Sequence, residues 1–271
     1  MGQICKRMVM IVSLKGGVGK TTAARAAVSI LRAEGLKVAA FDADGAVGGL
    51  LKSLGQRDDS GRLLPDQDRL LGVGYYDIRD DNQRCLLINC VAEEDDLIIQ
   101  DTAGGSLIDC CRVVDGGGPD MSGLLDVLDA RGYRLTVIHM ISNLLESAAS
   151  VGSWMNALSP DRCDHIAVLN QHFGRTTGDF PWWTGFVDNS SVQRGGANRR
   201  RLLESGGMEI VLPALPPATF AKLDALHLSP TAAGSSSLLT VAEQAHAARF
   251  VRDFKVELRK VGHLLGREPK P

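Results

Sequence analysis

One short stretch, Leu14-Lys15-Gly16-Gly17-Val18-Gly19-Lys20-Thr21-Thr22, constrains this chain more than any other. The apolar run Met8 to Ser13 precedes it and reads as a buried strand. The Ala-rich segment Thr22 to Ala33 follows it and reads as a helix, with Gly35 in the position of a C-cap. A strand, a glycine-rich turn and a helix in that order build a phosphate cradle. Gly16, Gly17, Val18 and Gly19 let consecutive backbone N–H groups curl around phosphate oxygens, and the helix N-terminus at Lys20, Thr21 and Thr22 adds its positive dipole end. In such a loop Lys20 supplies a point charge to the β- and γ-phosphates and the Thr21 hydroxyl coordinates Mg²⁺.

The rest of the chain fits that beginning. Apolar runs at Lys37 to Phe41, Leu97 to Gln100, Leu135 to Met140, His165 to Leu169 and Glu209 to Leu212 read as further buried strands, most of them separated by helical spacing. Strands alternating with helices predict a doubly wound, mostly parallel α/β sheet with helices on both faces. With 271 residues we expect one domain over 1–271. Three parts stand apart within it: an irregular acidic segment over 56–94, a long loop over 171–198, and a C-terminal amphipathic helix over about 238–265. On that helix Val241, Ala245, Ala248, Val251, Phe254, Leu258, Val261 and Leu265 form one apolar stripe.

The loop departs from the ordinary G-x-x-x-x-G-K-[ST] pattern, because Leu14 stands where glycine is usual and a second lysine, Lys15, follows it. This K-G-G-x-G-K-[ST] form resembles the deviant Walker A loop of the ParA/MinD family of partitioning and positioning ATPases. Two further motifs are similar to that family's. Phe41-Asp42-Ala43-Asp44 closes the second strand, and Asp101-Thr102-Ala103-Gly104-Gly105 follows the strand Leu97 to Gln100. All three lie in the correct order at the C-terminal ends of apolar strands, where ligands of such sheets bind.

The resemblance covers roughly Met8 to Pro217 and implies a P-loop NTPase fold with ATP and Mg²⁺ as cofactors. It implies that Asp44 orients the attacking water, that Asp42 sits near the metal or the loop and joins Thr21 and Asp101 as a candidate metal residue, and that Asp101 holds the Mg²⁺ water shell while the Gly104 N–H approaches the γ-phosphate. Asn170 and Pro213 resemble residues beside the base; a cap or turn and a strand terminator are their simpler readings. Lys15 would reach across a face-to-face dimer to the partner's phosphates. The implied function is an ATP hydrolase acting as an ATP-switched homodimer that positions, partitions or assists transfer of a cargo, with a cargo or adaptor protein as partner. A small-molecule kinase or ATP-dependent synthetase on the same loop is the alternative. It would need an acceptor pocket and would not need Lys15.

Composition narrows the partners. Lys+Arg 30 against Asp+Glu 32 excludes a protein basic all over, and 5% aromatics disfavours a base-stacking surface. The charges are uneven, however, with 13 Lys+Arg to 9 Asp+Glu over 171–271. Arg194, Arg199, Arg200 and Arg201, with Arg249, Arg252, Lys255, Arg259 and Lys260 on the last helix, offer a patch for nonspecific DNA; a solvated helix face is the competing reading. A membrane is the less favoured partner, resting on Val256 to Gly266 alone. Trp182 and Trp183 read as a lid, a partner contact or packing. With no signal peptide recognisable at Met1 to Arg7 and no membrane-spanning run, the expected location is the cytoplasm. Cys5, Cys85, Cys90, Cys110, Cys111 and Cys163 show no C-x-x-C pair, so mostly buried thiols are expected rather than a zinc or iron–sulfur site.

Overall fold

The computed structural model describes residues 6–45 and 47–266; Cys5 lies outside them. The strands, in chain order, are β1 (Lys6–Val12), β2 (Val38–Asp42), β3 (Gly74–Tyr75), β4 (Leu97–Asp101), β5 (Tyr133–Ile141), β6 (Cys163–Asn170), β7 (Phe186–Val187), β8 (Gln193–Arg194) and β9 (Met208–Leu212). Seven of them form one sheet in the order β3-β2-β4-β1-β5-β6-β9, and every neighbouring pair runs parallel. β7 and β8 make a separate antiparallel hairpin.

The helices are α1 (Lys20–Ala33), α2 (Gly49–Leu54), α3 (Leu86–Asn89), α4 (Leu107–Cys111), α5 (Ser122–Ala130), α6 (Leu145–Ala157), α7 (Pro181–Thr184), α8 (Ala197–Glu204), α9 (Pro217–Ala225), α10 (Pro230–Ala233) and α11 (Val241–Lys260). They cover both faces, as the alternation along β1 makes plain. Val9 and Ile11 pack in a cluster with α1, α10 and α11, whereas Met8, Met10 and Val12 pack in a second cluster with α3, α4 and α5. Burial on both sides is why these strands read as near-continuous apolar runs.

Parallel strands point all their C-terminal ends the same way, so register alone gathers the motifs. Ile11 pairs with Asp101 and Asp42 pairs with Asp101, which sets the ends of β1, β4 and β2 side by side. α1 ends as its sequence predicts: Gly35, at φ +87°, turns the chain and the Leu36 N–H bonds back to the Leu31 carbonyl at 3.1 Å.

Three expectations are corrected. The C-terminal helix is shorter than 238–265, running as α11 from Val241 to Lys260 before a 3₁₀ turn at Gly262–Leu265. Its buried face begins with Ala247 and Phe250 and continues through Phe254 and Leu258, while Val241, Ala245 and Ala248 are exposed. The loop over 171–198 is largely structured, holding α7, the β7–β8 hairpin and the start of α8. Trp183 packs there with Phe180, Ile141, Val151, Met155 and Leu202, which settles its reading as packing.

Candidate functional site

The phosphate loop is braced before any ligand arrives. The Leu14 N–H donates to Ser150 Oγ on α6 at 2.8 Å and the Lys15 N–H donates to Ser13 Oγ at 3.1 Å. Gly17 and Gly19 take φ of +74° and +96°, a backbone region that only glycine enters freely. Gly19 is also the N-cap of α1 and brings no side-chain oxygen, so no side chain caps the first-turn amides of that helix. Oriented N–H groups at a helix start are the donors an anion requires.

The charged groups around the loop differ in burial. Lys20 is 8% exposed. Burial pulls its ammonium below the usual lysine range, an effect that Asp101 and Asp44 oppose and Arg79 reinforces. Lys15 is half-buried. Asp101 is 2% exposed, and burial first, then the neighbouring Asp42 charge, push its carboxyl up to about 7. The Thr21 hydroxyl lies close enough to Asp101 to favour its charged form, yet Asp101 Oδ1 is buried with no hydrogen-bond partner. A buried carboxylate oxygen left open beside a threonine hydroxyl fits a hard divalent cation, since Mg²⁺ is held by one or two carboxylates together with substrate phosphates.

Asp42 does not present itself as a ligand. Its Oδ2 accepts the N–H groups of Leu50 and Leu51 at 2.7 and 3.0 Å, and its Oδ1 accepts the N–H of Asp44 at 3.0 Å. Those bonds tie down the start of α2 and the turn after β2. They pull its carboxyl pKa down while burial pushes it up, and burial prevails. The expectation of Asp42 as a metal ligand is thus corrected to that of a backbone anchor beside Asp101. Asp44 accepts from Arg79 Nη1 at 3.1 Å, and Arg79 Nη2 donates to the Gly104 carbonyl at 3.1 Å. A side chain added at Gly104 would place its Cβ 3.4 Å from Gly16 Cα and 3.5 Å from Lys20 Nζ, so that turn lies against the loop.

A cavity of about 240 Å³ opens from the loop, lined by Gly17, Gly19, Thr22, Asn170 and Pro213 together with apolar walls from Phe173, Phe220 and Phe250. Apolar walls with few polar groups suit a flat aromatic ligand. Pro213 lines it. Asn170 lines it too, but its Nδ2 donates to the Val18 carbonyl at 2.9 Å and its Oδ1 accepts the His172 N–H at 3.0 Å, so the amide holds the loop in place. Motif reading missed the three phenylalanines, which come from the end of β6, α9 and α11, and it missed Arg79.

The other expected contacts fare differently. Arg199 pairs with Glu209 at 2.6 Å, and Arg201 donates to Asn156 Oδ1 at 2.7 Å and to the Met155 carbonyl. Arg194 pairs with Asp188. On α11, Arg249 and Arg252 face Asp253, Lys255 and Arg259 face Glu34, and Lys260 faces Glu257. The cations are thus interleaved with acids, with Arg200 exposed among them. Leu258, Val261, Leu264 and Leu265 belong to the core, which removes the apolar face a membrane contact would use. No helix among the described residues is long and apolar enough to cross a membrane. Cys90, Cys110, Cys111 and Cys163 are buried free thiols and Cys85 is exposed; the described residues contain no cluster of metal-binding side chains.

Comparison with solved structures gives the fold independently. The cell division ATPase MinD of Pyrococcus furiosus superposes with a TM-score of 0.50 at 17% identity, covering 93% of this chain and 99% of that one. The septum site-determining protein MinD of Pyrococcus horikoshii OT3, solved with Mg-ADP, gives 0.50 at 16% identity over 94% and 98%. No curated protein matches the sequence. The family model of the CobQ/CobB/MinD/ParA nucleotide binding domain matches residues 9–204, and with the phosphate loop, the parallel sheet and the cavity at its edge in place, the chain belongs to that family.

Proposed function

We propose that the protein is a Mg²⁺-dependent ATP hydrolase working as an ATP-switched homodimer that positions, partitions or assists transfer of a cellular cargo. One observation carries this reading: Lys20, Thr21, Asp44 and Asp101 converge where β1, β2 and β4 end side by side. Phosphoryl transfer asks little covalent chemistry of a protein and much positioning and charge stabilisation. Lys20 meets the β- and γ-phosphate charge in a site dry enough to strengthen the attraction. Asp44 orients the attacking water. Thr21 and Asp101 would hold Mg²⁺, whose bound charge offsets that building on the β- and γ-oxygens. The base rests in the cavity walled by Phe173, Phe220, Phe250 and Pro213.

Lys15 supports the dimer. Two triphosphates brought face to face repel unless cations lie between them, and the half-buried Lys15 beside the loop would supply one. An adaptor or cargo protein would read the closed state. The kinase alternative needs an acceptor site at the γ-phosphate; a groove of about 740 Å³, lined by Asn143, Gln171, Arg175 and Asp179, shares Phe173 and Pro217 with the base cavity instead. Neither Lys20 nor Asp44 lines it, so an acceptor bound there would not meet the γ-phosphate.

Sedimentation with ATP tests the switch. Lys15→Ala is expected to bind ATP yet remain monomeric, and Asp44→Ala to accumulate an ATP-bound dimer. A Lys15→Ala protein that dimerises like the wild type would refute the role given to that lysine.

A further inference from the structure

The irregular acidic segment delivers a cation to the hydrolytic end of the site. After β3 the chain continues alongside the end of β2, with the Tyr76 N–H bonded to the Asp42 carbonyl at 3.0 Å and the Ile78 N–H to the Ala43 carbonyl at 3.2 Å. Arg79 follows directly. Its own N–H donates to Asp77 Oδ1 at 2.9 Å and its carbonyl accepts from Arg84 Nη2 at 3.0 Å, so the backbone is fixed on both sides of it. The Tyr75 hydroxyl donates to the Gly45 carbonyl, and a Cβ at Gly45 would fall 2.3 Å from Asp77 Cβ, which keeps the two segments in close contact.

We propose that Arg79 is a positioning residue for phosphoryl transfer, holding the Asp44 carboxylate and the turn at Gly104 in place at the γ-phosphate end of the loop; this rests on the ATPase reading above. The guanidinium spans the segments that follow β2 and β4, with one nitrogen on Asp44 Oδ1 and the other on the Gly104 carbonyl, each at 3.1 Å. A planar fork with donors in fixed directions can hold both at once, whereas an ammonium acts as a point charge. Position matters here because the neighbourhood is crowded with carboxylates: Asp42, Asp44 and Asp101 lie within electrostatic reach of one another. Lys20 feels both Asp44 and Arg79. Without the arginine, Asp44 is drawn toward Lys20 and away from the line a water must take. Holding the Gly104 carbonyl also fixes the turn that lies beside Gly16 and Lys20.

Arg79 has a 42% exposed side chain, so its replacement leaves the core untouched. The experiment measures ATP affinity by fluorescence of a labelled nucleotide and hydrolysis in single turnover with enzyme in excess. For Arg79→Ala the affinity should stay within about threefold of wild type while the rate falls roughly ten- to hundredfold, and Arg79→Lys should recover only part of it. In an Asp44→Ala background, Arg79→Ala should have little further effect, because a residue acting through Asp44 loses its object. An unchanged or faster rate, a loss confined to ATP affinity, or an undiminished effect in the Asp44→Ala background would each overturn the proposal. A wild-type protein that binds no ATP, or binds it without hydrolysis, would instead overturn the ATPase reading itself.

Discussion

The nucleotide end of the sheet and the surface of α11 carry charge in opposite ways. At the sheet end Lys20, Asp42 and Asp101 are buried, and Asp101 keeps an oxygen with no partner. Along α11 the cations Arg249, Arg252, Arg259 and Lys260 are exposed, each with an acid in reach. Exposed pairs of that kind contribute about 0–1 kcal/mol each, whereas a buried charge with an open valence is costly unless a ligand completes it. The lesson is that net charge misplaces the anion site. On α11 each cation lies beside an acid, while the acidic part of the chain holds the loop built for phosphate.

The sharpest way to break this contrast is at Lys20. Lys20→Ala should lower ATP affinity by a hundredfold or more, about 3 kcal/mol, read as loss of the thermal shift that Mg·ATP gives the wild type. A retained shift would mean that the loop amides alone suffice. Asp42 comes next, since it accepts three backbone N–H groups in a buried setting. Asp42→Ala should destabilise the protein by about 2–3 kcal/mol in urea unfolding. A loss below about 0.5 kcal/mol would return Asp42 to the list of ligands.

A buried pair elsewhere sharpens the point about burial. His139 Nε2 and His165 Nδ1 lie 2.9 Å apart, and His165 Nε2 lies 3.4 Å from Cys163 Sγ. Burial holds His165 down at about 4 and His139 well below its ordinary value, so both are neutral in the folded protein. Below about pH 6.5 the unfolded chain takes up protons that the folded chain refuses. The stability tied to these rings is complete above that pH and is lost as pH falls toward 4. For His165 the loss by pH 5 is about 2 kcal/mol. The difference in melting temperature between wild type and His165→Gln should therefore move in the variant's favour by several degrees between pH 7 and pH 5. A difference independent of pH would show that the ring is already charged.

The smallest effect belongs to α11. The pair Arg249→Ala and Arg252→Ala should change stability by no more than about 0.5 kcal/mol and leave any DNA retention as it was. Strong DNA binding that these changes abolish would undo the comparison from the other side.

Much of this was legible in the sequence, for identifiable reasons. Strands buried on both faces leave continuous apolar runs, so each of the β1, β2, β4, β5, β6 and β9 positions was readable to within two residues. The loop was readable because its glycines and Lys20 are contiguous. What was hidden is assembled from distant parts. Phe173, Phe220 and Phe250 meet only in three dimensions, and β3 has just two residues, Gly74 and Tyr75, too few to leave a pattern. Arg79 was hidden with β3. The phase of the α11 stripe was misread because Ala and Val at three- and four-residue spacing fit more than one face; Phe250 decides it.

The bond from Asn170 to the Val18 carbonyl has a bearing on how such chains diverge. A Cβ at position 19 would come within 2.3 Å of Asn170 Nδ2, so the end of a strand far along the chain favours the glycine, as does its own φ of +96°. A chain that carried a side chain at the first position would have to shorten or turn aside the second, and would lose with it the tie between the loop and the end of β6.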